Sequence, residues 1–75
     1  MGRYRFKDNS GIISVVDSET DETVARYEVD YHWQEKNVSV CEDYINVRLY
    51  NRIKGYLDCR VVIGNTDNVQ HIPEK

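Results

Sequence analysis

The stretch TVARYEVDYHW, residues 23–33, constrains the fold more than any other part of the chain. From Val24 onward ten consecutive residues alternate: Ala25, Tyr27, Val29, Tyr31 and Trp33 fall on one side, and Val24, Arg26, Glu28, Asp30 and His32 on the other. Successive side chains leave a strand on opposite faces. A helix of 3.6 residues per turn would scatter the same set around its surface. The run therefore predicts a strand with one aromatic, apolar face, and such a face must be covered by further strands.

The neighbouring segments supply them. Tyr4 and Phe6 alternate with Arg3, Arg5 and Lys7, and Asn9-Ser10-Gly11 is turn chemistry before IISVVD. Matching apolar faces puts Phe6 opposite Ile13 and Tyr4 opposite Val15, and, across the acidic loop 17–22, Val15 opposite Ala25 and Ile13 opposite Tyr27. Further on, Glu35-Lys36 reads as a turn that sets Trp33 against Val38 and Tyr31 against Val40. Glu42-Asp43 then sets Val40 against Ile45 and Val38 against Val47. Residues 51–55 close a last hairpin, with Leu49 facing Leu57, Val47 facing Cys59 and Ile45 facing Val61. On the other face Arg48 meets Asp58 and Tyr50 meets Tyr56, both favourable cross-strand pairs. The expected fold is all-β: a small antiparallel meander of about six strands over residues 1–63, curled or partly closed into a barrel. Residues 64–75 are expected as an exposed, partly ordered tail.

One segment has a competing reading. Ser39-x-x-Glu42 has the form of a capping box, Arg52 and Lys54 precede Gly55, and Cys41, Ile45, Leu49 and Ile53 form an i, i+4 row. That pattern predicts a helix over 40–54, in an α+β fold of a three-stranded meander, the helix, and a strand over 56–63. Val40, Val47 and Tyr50 fall off the row, and the β-branched and aromatic content favours strands.

Seventy-five residues make one domain with a modest core. No apolar run reaches the ~18–20 residues that span a bilayer, and the opening MGRYRFKD lacks the apolar stretch of a signal peptide. No membrane partner is expected. Two cysteines, Cys41 and Cys59, are fewer than a small disulfide-stapled secreted domain carries, which points to free thiols in a reducing, cytoplasmic setting. The net charge of −3 conceals an asymmetry. Residues 1–7 carry +3, residues 8–43 hold ten acids against Arg26 and Lys36, and residues 44–63 carry +3 again.

Residues 5–27, RFKDNSGIISVVDSETDETVARY, resemble the opening hairpin of the FlaG flagellar family over less than a third of the chain. Thr20-Asp21-Glu22 stands where that family has a Thr-Gly-Glu turn. Nothing about function is carried over from this short likeness.

No catalytic constellation is present: there is no glycine-rich phosphate loop, no nucleophile elbow and no zinc-protease helix motif. Cys41, Cys59, His32 and His71 lack the C-x-x-C spacing of a structural zinc site, so no cofactor is expected. The acidic loop lacks the glycine and terminal glutamate of a calcium loop. The expectation is a non-catalytic module. Six tyrosines and a tryptophan exceed the needs of so small a core, and such residues anchor interfaces. Binding of another protein is the first reading, as an adaptor, complex subunit or inhibitor, with the acidic middle segment suited to a basic partner and a second copy of the chain as a further partner. The alternative is single-stranded nucleic acid. If the first strand lies beside the last, Arg3, Arg5, Lys7, Arg48 and Arg60 share an outer surface with Tyr44, Tyr50 and Tyr56, joining phosphate-binding cations to stacking platforms.

Overall fold

The computed structural model describes residues 3–74, which form seven strands and, among those residues, no helix. One sheet contains β1 (Tyr4–Asn9), β2 (Ile12–Asp17), β3 (Thr23–Val29) and β7 (Gln70–Ile72), in the order β1-β2-β3-β7. The other contains β4 (Gln34–Val40), β5 (Tyr44–Asn51) and β6 (Gly55–Val62) in sequence order. All consecutive pairs within a sheet are antiparallel, and β7 alone joins its neighbour β3 in parallel. The chain is all-β as the alternation predicts, and residues 40–54 are not helical: they hold the end of β4, a turn, β5 and the start of the β5–β6 turn.

The registers follow the apolar faces. Val15 lies opposite Ala25 and Ile13 opposite Tyr27, with a bulge after Val15. In the second sheet Val40–Ile45, Val38–Val47, Leu49–Leu57, Val47–Cys59 and Ile45–Val61 all pair as expected. The inner faces share one core of Val15, Ala25, Tyr27 and Ile72 from the first sheet and Ile45, Val47, Leu49 and Val61 from the second. Tyr27 is wholly buried and its hydroxyl donates to Glu35 Oε1 at 3.0 Å, tying β3 to β4 across the core. Burial, reinforced by the Glu35 carboxylate, raises the Tyr27 phenol far above its ordinary value.

Four expectations are corrected. The first hairpin is tighter than expected. Ser10 (φ 55°) and Gly11 (φ 88°) are both left-handed, which makes a two-residue turn of the primed type and puts Phe6 opposite Val15. The shift is by two residues, so the facing side chains keep their parity. Phe6 sits on the edge strand and remains 41% exposed.

Second, the long alternating run does not continue as a strand to Trp33. Asp30 Oδ1 accepts a hydrogen bond from the His32 backbone at 2.9 Å, and the Trp33 N–H donates to the Asp30 carbonyl at 2.9 Å. This Asx turn bends the chain out of the first sheet. Tyr31 is therefore 88% exposed rather than in the core, and β3 and β4 lie in different sheets. Third, that switch divides the expected single curled meander into two sheets.

Fourth, the C-terminal residues are not an exposed tail throughout. The Gly64 N–H donates to Val24 at 2.8 Å, and the Arg26 guanidinium donates to the Thr66 carbonyl at 2.7 and 3.1 Å. The chain then returns as β7, and Ile72 enters the core at 3% exposure. Ile72→Ala should cost about 2–5 kcal/mol, as for other truncations of buried aliphatic side chains. Ile53→Ala, at a turn position 89% exposed, should change stability by less than about 0.5 kcal/mol. Urea unfolding of the two variants measures the difference directly, and equal small effects would remove residues 70–72 from the cooperative core.

Candidate partner-binding face

The outer face of the β4–β5–β6 sheet is set by its last turn. Asn51 Oδ1 accepts from the backbones of Ile53 and Lys54, both at 2.9 Å, while Asn51 Nδ2 donates to the His32 carbonyl at 3.0 Å. Gly55 takes φ 85°, and Asn51 pairs with Gly55. A side chain with a Cβ would be strained at that φ. This closure fixes Tyr50 opposite Tyr56, Arg48 opposite Asp58, Asn46 opposite Arg60 and Tyr44 opposite Val62. Because the strand period is two, all eight share the face turned away from the core.

Their side chains interleave. The Tyr50 and Tyr56 rings lie 4.9 Å apart at 49°. The Arg48 guanidinium lies over the Tyr56 ring at 4.8 Å and the Arg60 guanidinium over the Tyr44 ring at 4.3 Å. Lys36, carried by the bulge between Glu35 and Asn37, approaches the Tyr50 ring at 5.9 Å. Each exposed cation–ring contact contributes about 0.5–1 kcal/mol. The Arg48–Asp58 pair at 3.9 Å, open to solvent on both sides, adds little. The structural yield is small; the geometric yield is larger. Two guanidiniums are positioned over rings, and the Asp58 carboxylate comes no closer to Arg48 than 3.9 Å, so a partner that meets them loses less side-chain entropy on binding. A hydrogen bond with Cys41 raises the Tyr44 phenol above its ordinary value, against the opposing pull of Arg60.

Of the expected site residues, Tyr44, Arg48, Tyr50, Tyr56 and Arg60 come together here. Arg3 and Arg5 do not. They belong to the N-terminal edge of the other sheet, where Arg3 Nη2 pairs with Asp17 at 3.0 Å and Arg5 Nη2 with Asp21 at 2.7 Å. The first strand does not lie beside the last, because the chain changes sheet at Asp30. Lys36, expected in a turn, joins the face instead. The face also continues into a cleft of about 730 Å³ that passes Tyr56, Leu57, Trp33, Ile53 and Pro73. Trp33 was expected to fill the core; it packs against the core and lines this cleft as well. Cys41 and Cys59 are separate free thiols.

In the first sheet His71 stands between two carboxylates, with Nδ1 3.3 Å from Glu28 and Nε2 3.3 Å from Asp30, and Asp30 also lines the cleft that Trp33 lines. Asp30 also meets His32 Nδ1 at 3.0 Å. The bonds to Glu28 and then Asp30 raise the His71 pKa, while the His32 backbone bond and then His71 hold Asp30 down at about 2. The sign follows from linkage. A raised folded pKa means that this contribution is complete below the unfolded histidine value of about 6.5 and is lost as pH climbs through the folded value. Titration of the His71 ring by NMR should give a midpoint above that of a free histidine, and Glu28→Gln should lower it. A midpoint unmoved by Glu28→Gln would dissolve the cluster.

No protein-family model, curated protein or solved structure matches this chain.

Proposed function

We propose that the chain is a small non-catalytic interaction module that binds another protein, as an adaptor, complex subunit or inhibitor, through the outer face of β4, β5 and β6. The observation that carries this reading is the pair of guanidinium–tyrosine stacks, Arg48 on Tyr56 and Arg60 on Tyr44. Tyrosine and arginine are the residue types that most often dominate binding energy at protein interfaces. The partner surface that complements them is acidic. The acids of the middle segment argue less for a basic partner than their number suggests, because Asp17, Asp21 and Asp30 are already tied to Arg3, Arg5 and the two histidines. The setting proposed is cytoplasmic, with both cysteines reduced.

The experiment is affinity capture followed by titration of the purified partner. Arg48→Ala and Tyr44→Ala should each weaken binding by about tenfold, the scale of an interface anchor. Tyr31→Ala, exposed but off this face, should leave it unchanged. A partner whose affinity ignores both face variants overturns the reading.

Single-stranded nucleic acid is a second reading, supported by the 58% exposure of Tyr56 beside Arg48. With Arg3 and Arg5 on the other sheet, Lys36, Arg48 and Arg60 are left to meet phosphates. Three such contacts give a salt slope of about −2 for a single strand. Fluorescence anisotropy with a labelled oligonucleotide at low salt measures it, and the absence of binding there eliminates this reading.

A further inference from the structure

Three strands lie at sheet edges with long open backbones, and they are not equivalent. β1 presents Arg5 and Lys7 at its edge, and β4 carries the bulge with Lys36. Charged side chains and bulges are how edge strands resist pairing with other chains. β6 lacks a lysine, a proline and a bulge: it runs eight residues, Gly55–Val62, in unbroken register with β5, and its two charged residues, Asp58 and Arg60, are of opposite sign.

Its free edge can be read from one side chain. The Gln70 amide bonds both backbone groups of Val62, accepting from the Val62 N–H at 2.9 Å and donating to its carbonyl at 3.0 Å. Val62 therefore turns its backbone away from β5. Hydrogen-bonded and non-bonded pairs alternate in an antiparallel ladder, so Tyr56, Asp58 and Arg60 turn theirs the same way. The Gln70 amide stands where the peptide group of a neighbouring strand would stand, at one end of the row, while Ile72, Pro73 and Glu74 lie across a cleft from Leu57, Cys59 and Arg60.

We infer that a second copy of this chain completes the row, β6 against β6 in antiparallel register about a two-fold axis at Cys59, giving a continuous six-stranded sheet. The sequence YLDCRVV, residues 56–62, is complementary to its own reverse. In this register Tyr56 faces the second copy's Val62, Leu57 faces its Val61, Asp58 faces its Arg60, and Cys59 faces its own counterpart. The symmetry repeats every pair, so both Asp58–Arg60 contacts form. Sliding by two residues in either direction puts Asp58 on Asp58 or Arg60 on Arg60 at the axis, and like charges directly opposite are destabilising. Charge thus selects one register.

The backbone agrees with the side chains. Asp58 and Arg60 both point their N–H and C=O groups at the partner and form hydrogen-bonded pairs. Cys59 is left in the non-bonded position, where facing side chains approach most closely. The four central backbone bonds need no movement of Gln70. The Tyr56–Val62 end pairs form when its amide swings aside. The new strand also borders a cleft of about 320 Å³ whose apolar lining is Leu57, Cys59, Ile72 and Pro73, with Leu57 41% exposed. A two-sheet domain with a small core gains from covering that surface.

The register has a covalent reporter. Facing cysteines in a non-bonded antiparallel pair have Cα atoms about 4.5 Å apart, within disulfide reach. On treatment with diamide, which takes up the two thiol hydrogens as the sulfur–sulfur bond forms, the chain should yield a crosslinked dimer. Cys41→Ser should retain it and Cys59→Ser abolish it. Sedimentation equilibrium of the reduced chain over a concentration series should show a monomer–dimer equilibrium. Asp58→Arg and Arg60→Asp should each weaken it by about tenfold, since each turns two attractive cross-strand pairs into repulsive ones. The double swap Asp58→Arg/Arg60→Asp should restore it. Both positions are exposed, and circular dichroism checks that each variant folds. A chain that stays monomeric at every concentration, a crosslink through Cys41, or a double swap no better than the single changes each overturns the proposal. The readout is self-association, so it stands or falls independently of whether the outer face binds another protein.

Discussion

The corner at Asp30 is the constraint on which the two-sheet arrangement depends. Its backbone N–H donates to the Ile72 carbonyl at 2.8 Å, holding the C-terminal strand against β3. Its carbonyl accepts from Trp33, one carboxylate oxygen accepts from the His32 backbone, and the other faces His71. One short residue therefore ends a strand, turns the chain toward the second sheet and fastens a segment some forty positions away in sequence. An alanine there would leave the His32 N–H without its carboxylate acceptor and His71 of β7 without one of its two carboxylate contacts, while the Trp33 bond to the backbone carbonyl would remain.

What Asp30 releases, the core recaptures. Once the chain leaves the first sheet, β4 and β5 must fold back over β2 and β3, because Val15, Ala25 and Tyr27 on one side and Ile45, Val47 and Leu49 on the other have no other apolar surface to meet. Tyr27 shows how narrow the match is. Its ring fills the centre while its hydroxyl reaches Glu35, so a large polar-tipped side chain is buried without leaving its hydroxyl unpaired. β7 then closes the side of the core that three strands leave open. A three-residue parallel strand is a weak element by itself, and here it is held by Ile72 in the core, by His71 between two carboxylates, and by Gln70 on the edge of β6.

Much of this is legible in the amino-acid sequence alone. Ile45, Val47 and Leu49 could match Val61, Cys59 and Leu57 in only one parity, and Asn51 to Gly55 left room for only a short turn, so the β5–β6 pairing and its outward tyrosines follow from pattern alone. The capping-box signal before 40–54 is misleading because two correctly spaced residues, Ser39 and Glu42, recur by chance, whereas the apolar match runs through the whole hairpin. Periodicity failed where a side chain overrode it: the alternation runs past Asp30 without interruption, but an Asx turn is a hydrogen bond of one residue and leaves no trace in a hydrophobic pattern. β7 was invisible for a related reason. Gln70-His71-Ile72 is too short to have a period, and its strand character comes from β3 beside it. The expected place of Arg3 and Arg5 on the candidate face depends on the same corner, since a chain that never changed sheet at Asp30 would bring its first strand round to its last.

The same sheet switch divides the charge. In the first sheet cations and acids consume one another: Arg3 with Asp17, Arg5 with Asp21, and His71 with Glu28 and Asp30. In the second, Arg60 has a ring beneath it, and Arg48 has a ring and only a distant carboxylate. A guanidinium over a tyrosine keeps its in-plane N–H groups unspent, unlike one locked to a carboxylate. The two sheets have similar side chains but different remaining capacity. The first uses its polar groups to hold the C-terminal segment and the acidic loop in place, and the second keeps an ordered cationic, aromatic surface beside an unblunted strand edge. The division of labour follows from where one aspartate turns the chain.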